Sequence, residues 1–423
     1  MKLRALFEPG ALFSFKDFRR LFLSSIIVTI GTTAFPMALA IVIIDSGGST
    51  TTLGLVMAAK VLSGTGFVVF GGVWADRLKR KYVMIGADLC RAFLVLILIF
   101  VSGAETPRYW MALVVFLVGV GDAFGGPASS AIINTVLPDS VLQQGNVFRG
   151  AISRIGGIIG PAIGVGLVAL IGARLTFLLT ASAFLISVAL LSGVKESAHV
   201  PKESHEPFIE ELKDGIRTVI EMPWIGAMIL MATFQLLVVV ASETVLLPVI
   251  TKREFNTNTT MAAASAAFAI GATLCSFYSL RIKTNHPGRV SLLLWSLFAA
   301  IPLSLAWPDQ RWIVIAYLIG GISVGPWDAF WPIALQREVP KEKLGRVFAI
   351  DQAGSVGLMP LGMALVGPVT NIFGERNFLI FAAVLHLLVN ILVYRVPGVP
   401  ELKTPSRISI ASVDSSNSEQ EKP

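Results

Sequence analysis

The sequence predicts an all-α polytopic membrane protein, with twelve transmembrane helices arranged as two six-helix pseudo-repeat bundles. Three observations carry this. The 423-residue chain is 54% hydrophobic and only 14% charged, against about 25% charged in ordinary soluble domains. One water-soluble core has no use for so much apolar sequence. The apolar residues fall into twelve runs, each near the ~20 helical residues that cross a hydrocarbon layer of ~30 Å. Short motifs also recur in the same order in the two halves.

In chain order the runs cover roughly 22–44, 52–74, 83–103, 110–134, 146–171, 174–194, 225–250, 260–280, 290–307, 312–335, 346–372 and 377–396. Polar or Gly/Pro-containing turns separate them, such as Asp45-Ser46-Gly47-Gly48 and Pro308-Asp309-Gln310. The first run starts late and is long, so it reads as a retained span rather than a cleaved signal. An even count puts both termini on one side. Most Lys and Arg fall in segments on that side and few on the other, which predicts a multi-pass protein of the cell membrane with both termini cytoplasmic. The net charge of +7 therefore orients helices and is not a nucleic-acid footprint.

The longest internal polar stretch, 195–224, separates an N-terminal six-helix bundle (1–194) from a C-terminal one (225–400). It begins with a loose segment, Lys195 to Pro207. An amphipathic helix follows, with Phe208, Ile209, Leu212, Ile216, Val219 and Ile220 on one face, expected to lie along the membrane surface. The Ser-, Glu- and Lys-rich tail, 401–423, is predicted to be disordered and cytoplasmic.

The halves resemble each other. Gly145-Asn146-Val147-Phe148 opens span 5 and Gly345-Arg346-Val347-Phe348 opens span 11. Asp122-Ala123-Phe124 with Pro127 lies in span 4, and Asp328-Ala329-Phe330 with Pro332 in span 10. Duplicated bundles that move about a midplane site are a transporter design.

Between spans 2 and 3 stands Gly72-x-x-x-Asp76-Arg77-x-x-Arg80-Lys81, a dense charged turn in a mostly apolar chain. It resembles the loop 2–3 signature of the major facilitator superfamily, with Lys79 replacing the usual second glycine. Gly156-x-x-x-Gly160-Pro161-x-x-Gly164 resembles the motif of that family's antiporter branches, although Val165 interrupts the usual adjacent glycines. Phe13, Phe18, Arg19-Arg20, Met84 to Leu89 and Leu344 to Phe348 resemble its macrolide-efflux and enterobactin-exporter group. The resemblance implies the major facilitator fold and a small-molecule substrate. It also implies a functional monomer among membrane lipids, with no cofactor and with the proton gradient as energy source. A siderophore or lipid carrier of the same fold is the alternative within transport, and a non-transporting sensor or scaffold is the alternative outside it.

An ionisable group inside a span costs at least ~2.5 kcal/mol, so each needs a partner or a cavity. Asp122 lies about 18 Å from the outer end of span 4, near the midplane. Arg154 of span 5 could reach it, and the pair is either a static ion pair or a site where the acid cycles its proton. Asp328, the repeat counterpart of Asp122, either lines the same cavity or caps irregular backbone near Gly325-Pro326. Glu243 at the outer end of span 7 attracts cationic substrate, serves as a proton site or an outer gate, or is a solvated helix end. Lys60 could pair with Glu243, attract an anion or snorkel to the interface. Asp88 and Arg91, three apart on span 3, together with Arg149 and Asp351, are expected to form cytoplasmic ion-pair gates with the loop 2–3 charges. By the resemblance Asp76 faces the start of span 11.

Gly156, Gly160 and Gly164 share one helix face and predict a close helix seam, with Pro161 beside it. By the resemblance, spans 1, 4, 7 and 10 surround the pore. That makes Phe35, Phe124, Phe234, Gln235, Trp327, Phe330 and Trp331 candidate cavity residues, suited to a lipophilic molecule, cationic ones included. His386 falls in span 12, which the resemblance makes peripheral. Cys90 and Cys275 lie in apolar runs without metal-ligand spacing. No phosphate loop, metal set or nucleophile constellation is present in the sequence, so an enzyme is not expected.

Overall fold

The computed structural model describes residues 11–101, 107–196, 208–279, 281–282 and 284–404; the side chains at positions 69, 73, 76, 208, 209, 211 and 212 lie outside that description. Among the described residues every regular element is helical: α1 (Lys16–Asp45), α2 (Thr50–Gly66), α3 (Val68–Arg77), α4 (Arg80–Val101), α5 (Arg108–Ala131), α6 (Ile133–Val136), α7 (Asp139–Ser192), α8 (Phe208–Glu221), α9 (Pro223–Phe234), α10 (Ala241–Phe255), α11 (Thr259–Ser279), α12 (Pro287–Trp295), α13 (Ala300–Ala306), α14 (Gln310–Glu338), α15 (Leu344–Val356), α16 (Met359–Phe373) and α17 (Glu375–Tyr394). A π-helical turn, Gln235–Val240, joins α9 to α10, and a 3-10 turn, Ser296–Ala299, joins α12 to α13.

Ten helical stretches among these are long and apolar enough to cross a membrane. Two local features relate them to the twelve predicted spans. α7 carries spans 5 and 6 and turns at Gly172, whose φ of 79° is open to glycine without strain. Span 2 breaks at Phe67 into α2 and α3, each shorter than a crossing. Large apolar side chains such as Leu170, Phe100 and Ile372 are more than three-quarters exposed. In water such a surface would drive aggregation, whereas in a bilayer it meets hydrocarbon. The chain is a multi-pass membrane protein.

Contacts divide the chain into two compact units. The first comprises 1–203, 244–266 and 363–369, and the second 204–243, 267–362 and 370–423. Parts of three helices from the second half of the sequence, α10, α11 and α16, thus belong to the first unit. There Lys252 pairs with Asp45 at 2.8 Å. Gly54 leaves no room for a Cβ against the Met363 carbonyl, and neither does Gly367 against Thr51.

Without a hydrophobic force between helices in lipid, association rests on close packing of small residues. The predicted glycine face is such a seam. A Cβ at Gly156 or Gly160 would strike Thr29 or Thr33 of α1, and one at Gly164 would lie 2.7 Å from the Ala34 Cα. The second unit repeats the arrangement: Gly362 of α16 meets the Leu237 backbone, and Gly354 of α15 accepts from Thr233 Oγ1 at 2.8 Å. Spans 2 and 4 approach through Gly71 and Gly119. Spans 8 and 10 approach through Gly271, Gly321 and Gly325.

Helix α8 forms where the amphipathic pattern predicts it. Ile216 and Ile220 are exposed, while Asp214 accepts from Lys343 Nζ at 2.8 Å and from Arg346 Nη1 at 2.7 Å. The helix is therefore docked on α15 as well as presenting an apolar face; Phe208, Ile209 and Leu212 lie outside the described side chains. The predicted tail is ordered further than composition suggests. Leu402 is buried, and the Thr404 amide donates to Glu338 at 3.2 Å. Residues 197–207 and 405–423, read as loose linker and disordered tail, lie outside the described residues.

Candidate functional site

The first unit holds a line of charges between α2, α4 and α5. Lys60 Nζ donates to Asp122 Oδ2 at 2.8 Å, and Arg91 Nη1 donates to Asp122 Oδ1 at 2.8 Å. Arg91 also binds Asp88, one helical turn away, and stacks over Phe184 at 4.5 Å. Asp88 Oδ2 accepts from Ser187 at 2.6 Å, and Ser187 pairs with Ser24 at 2.7 Å. Two cations and two carboxylates thus balance, and every carboxylate oxygen has a donor. Glycine makes the space: a Cβ at Gly121 would lie 2.6 Å from Arg91 Cγ, and one at Gly125 would lie 3.1 Å from its Nη2.

This line forms one wall of a polar cavity of about 330 Å³ inside the first unit. Thr29, Ser129, Ser153 and Arg149 also line it, with Met84 and Ile152 supplying apolar wall. Arg149 Nε is buried without a hydrogen-bond partner among the described residues.

The second unit is built differently. Six aromatic contacts run in sequence: Trp224 to Trp331 (5.9 Å), Trp331 to Trp327 (5.4 Å), Trp327 to Trp295 (5.9 Å), Trp295 to Phe298 (5.2 Å), Phe298 to Phe268 (6.4 Å) and Phe268 to Tyr317 (6.5 Å). Near one end Trp331 Nε1 donates to Asp351 at 2.9 Å, and at the other end Tyr317 donates to Glu243 at 2.7 Å. Glu243 has this neutral phenol and no cation as its partner among the described residues. Beside the aromatic row lies a buried polar knot. Gln235 donates to Asn390 at 2.8 Å and accepts from Trp295, Asn390 donates to Ser296 at 3.2 Å, and His386 is hydrogen-bonded to the Trp295 carbonyl at 2.8 Å. Gln235 opens the π-helical turn, a departure from α-geometry common at functional positions.

A profile of the Major Facilitator Superfamily matches residues 21–354. The chain belongs to the major facilitator superfamily. It is 25% identical over 376 residues to macrolide efflux protein A of Streptococcus pyogenes, covering 84% of this chain and 89% of that protein. It is 25% identical over 390 residues to the multidrug efflux pump Tap of Mycolicibacterium fortuitum, covering 88% and 93%. Among solved structures, a D-xylose-proton symporter superposes with a TM-score of 0.73 at 13% identity, covering 93% of this chain and 100% of that one. A mutant of the nucleoside transporter NupG gives 0.70 at 14%, covering 89% and 99%. These likenesses carry the fold. Fold and relatives are those of transporters, not enzymes.

Within this superfamily fold, several predicted pairings are replaced. Arg154 is exposed, and Asp122 is held by Lys60 and Arg91 instead; both lie on helices packed against α5, where reach is short. Lys60 accordingly pairs with neither Glu243 nor the interface. Asp88 and Arg91 do share a helix face, but they are buried and face Asp122 and Ser187. Arg149 faces the cavity, and Asp351 is bonded to Trp331 and to Ser355 at 3.3 Å. Asp328 is half-buried midway along α14.

The loop 2–3 signature is spent partly on helix ends. The Arg80 and Lys81 amides donate to Glu196 at 3.2 and 3.1 Å, a carboxylate at the start of α4. Lys81 Nζ donates to the Ser192 and Val194 carbonyls at 3.0 and 2.9 Å, closing the end of α7. Arg80 Nη1 donates to the Ala131 carbonyl at 3.1 Å, Arg77 is exposed, and Gly72 has open space around it. The Asp76 side chain lies outside the described residues.

Of the candidate cavity residues, Phe35 packs into the core against Phe177 (5.8 Å) and Phe124 packs against Trp74 (6.0 Å). Gln235 is hydrogen-bonded through both its amide oxygen and its amide nitrogen in the polar knot. Phe234 is exposed, Phe330 is half-buried, and Trp327 and Trp331 belong to the aromatic row. Sequence reasoning missed Ser187, Tyr317, Trp295 and Asn390. None carries a formal charge, so their only signal was a polar group in an apolar run. Among the described residues no group of three or more His, Cys, Asp or Glu could hold a metal.

Proposed function

We propose that the chain is a secondary active exporter that carries a small lipophilic or amphipathic, drug-like molecule outward across the cell membrane by alternating access. Proton entry supplies the energy, no cofactor is bound, the monomer is the working unit, and both termini are cytoplasmic. The observation that carries the efflux reading is the nearly full-length similarity to proteins named for macrolide and multidrug efflux.

The geometry supports a particular place for the coupling proton. At Asp122, gaining a proton would break two ion pairs at once. At Glu243 it breaks none, because the hydrogen-bond partner is the neutral Tyr317 hydroxyl. Glu243 is therefore the proton carrier in this proposal, and Asp122 organises the first unit.

The test uses protein in liposomes enclosing a pH-sensitive dye, with an imposed proton gradient and a panel of macrolides, dyes, siderophores and lipids. We expect substrate-dependent proton flux that Glu243→Gln abolishes while substrate binding persists. Substrate movement without proton flux in the wild type would end the coupling scheme. Undiminished flux in Glu243→Gln would place the proton elsewhere. A response to siderophores or lipids alone would replace the drug-like cargo with that class.

A further inference from the structure

We propose that the polar cavity of the first unit is an anion-binding subsite, in which Arg149 receives a carboxylate or phosphate borne by an amphiphilic ligand. Calling that ligand the transported substrate rests on the exporter reading above; the subsite itself does not.

Asp122 offers Oδ1 to Arg91 and Oδ2 to Lys60. Asp88 offers Oδ1 to Arg91 and Oδ2 to Ser187. Both carboxylates are saturated by these donors, and the four charges cancel. A cationic ligand entering this cavity finds no free acid. Arg149 is the charge left over. It lines the cavity, takes part in no ion pair among the described residues, and has a buried Nε without a partner. An uncompensated, partly desolvated guanidinium is costly, and its planar fork matches an oxyanion with two oxygens. Around it, the Thr29, Ser129 and Ser153 hydroxyls line the same space and make no side-chain hydrogen bond among the described residues, so they are free to donate. Val28, Met84 and Ile152 give an apolar wall for the rest of the ligand, and about 330 Å³ falls within the usual small-molecule range. The aromatic content of the sequence suggested a place for cationic molecules; this cavity instead presents an uncompensated cation.

The experiment uses the full-length protein in nanodiscs and three fluorescent probes on one dansyl-alkyl skeleton, ending in a carboxylate, a carboxamide or an amine. The carboxylate probe should bind about tenfold tighter than the amide, or more, as a charge-assisted hydrogen bond to one arginine allows. Arg149→Gln should bring the carboxylate to the amide's affinity and leave the amide unchanged. Arg149→Lys keeps the charge but loses the fork; it should weaken the carboxylate several-fold with no change for the amide, and it serves if Arg149→Gln does not fold. Two lipid compositions separate the sources of the anion. If phosphatidylglycerol added to phosphatidylcholine discs displaces the carboxylate probe in an Arg149-dependent way, a phosphate of a net-anionic lipid headgroup is the ligand. If it does not, a free amphiphilic acid is. Equal affinities for acid and amide in the wild type would overturn the proposal. So would an Arg149 variant that weakens all three probes alike, which is the result expected of a gate or a structural residue. Efflux of neutral compounds together with equal binding of acid and amide would leave the exporter and remove the subsite; acid-selective binding without any transport would do the reverse.

Discussion

Asp122 is held from two sides, and that determines what its substitution does. Asp122→Asn leaves Lys60 and the buried Arg91 competing for one neutral amide, and breaking a buried pair in this way costs up to about 3–5 kcal/mol. We expect a clear fall in the melting temperature of the purified protein, with transport lost because the first unit loosens. Glu243→Gln should behave differently, since a glutamine oxygen still accepts from Tyr317; its melting temperature should stay near wild type while proton flux disappears. Equal melting temperatures for the two variants would show that Asp122 does not organise the unit. Part of this was legible in the sequence: Asp88 and Arg91 are three apart, so a helix must place them together. Lys60 was not assignable, because its partner depends on how α2 and α5 are rotated about their axes.

Among the elements, α8 shows a helix with two masters. Its exposed isoleucines suit a membrane surface, while Asp214 ties it to the start of α15. Hydrogen bonds from Lys343 and then Arg346 hold the Asp214 carboxyl below the ordinary aspartate value. A depressed folded-state pKa stabilises the docked helix at pH above the unfolded value of about 3.9, and that contribution is lost as pH falls through the lower, folded value. Amide protection in α8, taken as the exchange rate relative to the intrinsic rate at each pH, should therefore be high at neutral pH and fall in that acidic window. Asp214→Asn should be less protected already at neutral pH and lose the acid-dependent step. An unchanged profile in the variant would mean that the apolar face alone holds the helix. The amphipathic period announced α8 itself, but not this dock, because Lys343 and Arg346 lie more than a hundred residues away.

For the molecule as a whole, the first unit includes 244–266 and 363–369 from the second half of the sequence, and the Asp45–Lys252 pair sits within it. A partly exposed pair is worth only about 0.2–1 kcal/mol, a few-fold in an equilibrium. Lys252→Glu should accordingly change transport a few-fold, and the charge swap Asp45→Lys with Lys252→Glu should restore it. Failure of the swap to restore transport, measured in the same liposomes, would show that the pair contributes nothing beyond two separate surface charges.

The sequence by itself determined the class of the protein. Twelve apolar runs, charges concentrated in turns, a repeated motif and a glycine face require helices in lipid, since only a helix satisfies its own backbone there and only small residues let two helices close. What the tertiary structure decided was partnership. Which cation neutralises Asp122, which acid stands beside a neutral phenol, and which arginine is left without a counterion all depend on helix rotation and translation of a few ångströms. Ion pairs and hydrogen bonds fall off steeply over that distance, whereas hydropathy, averaged along a run, does not sense it.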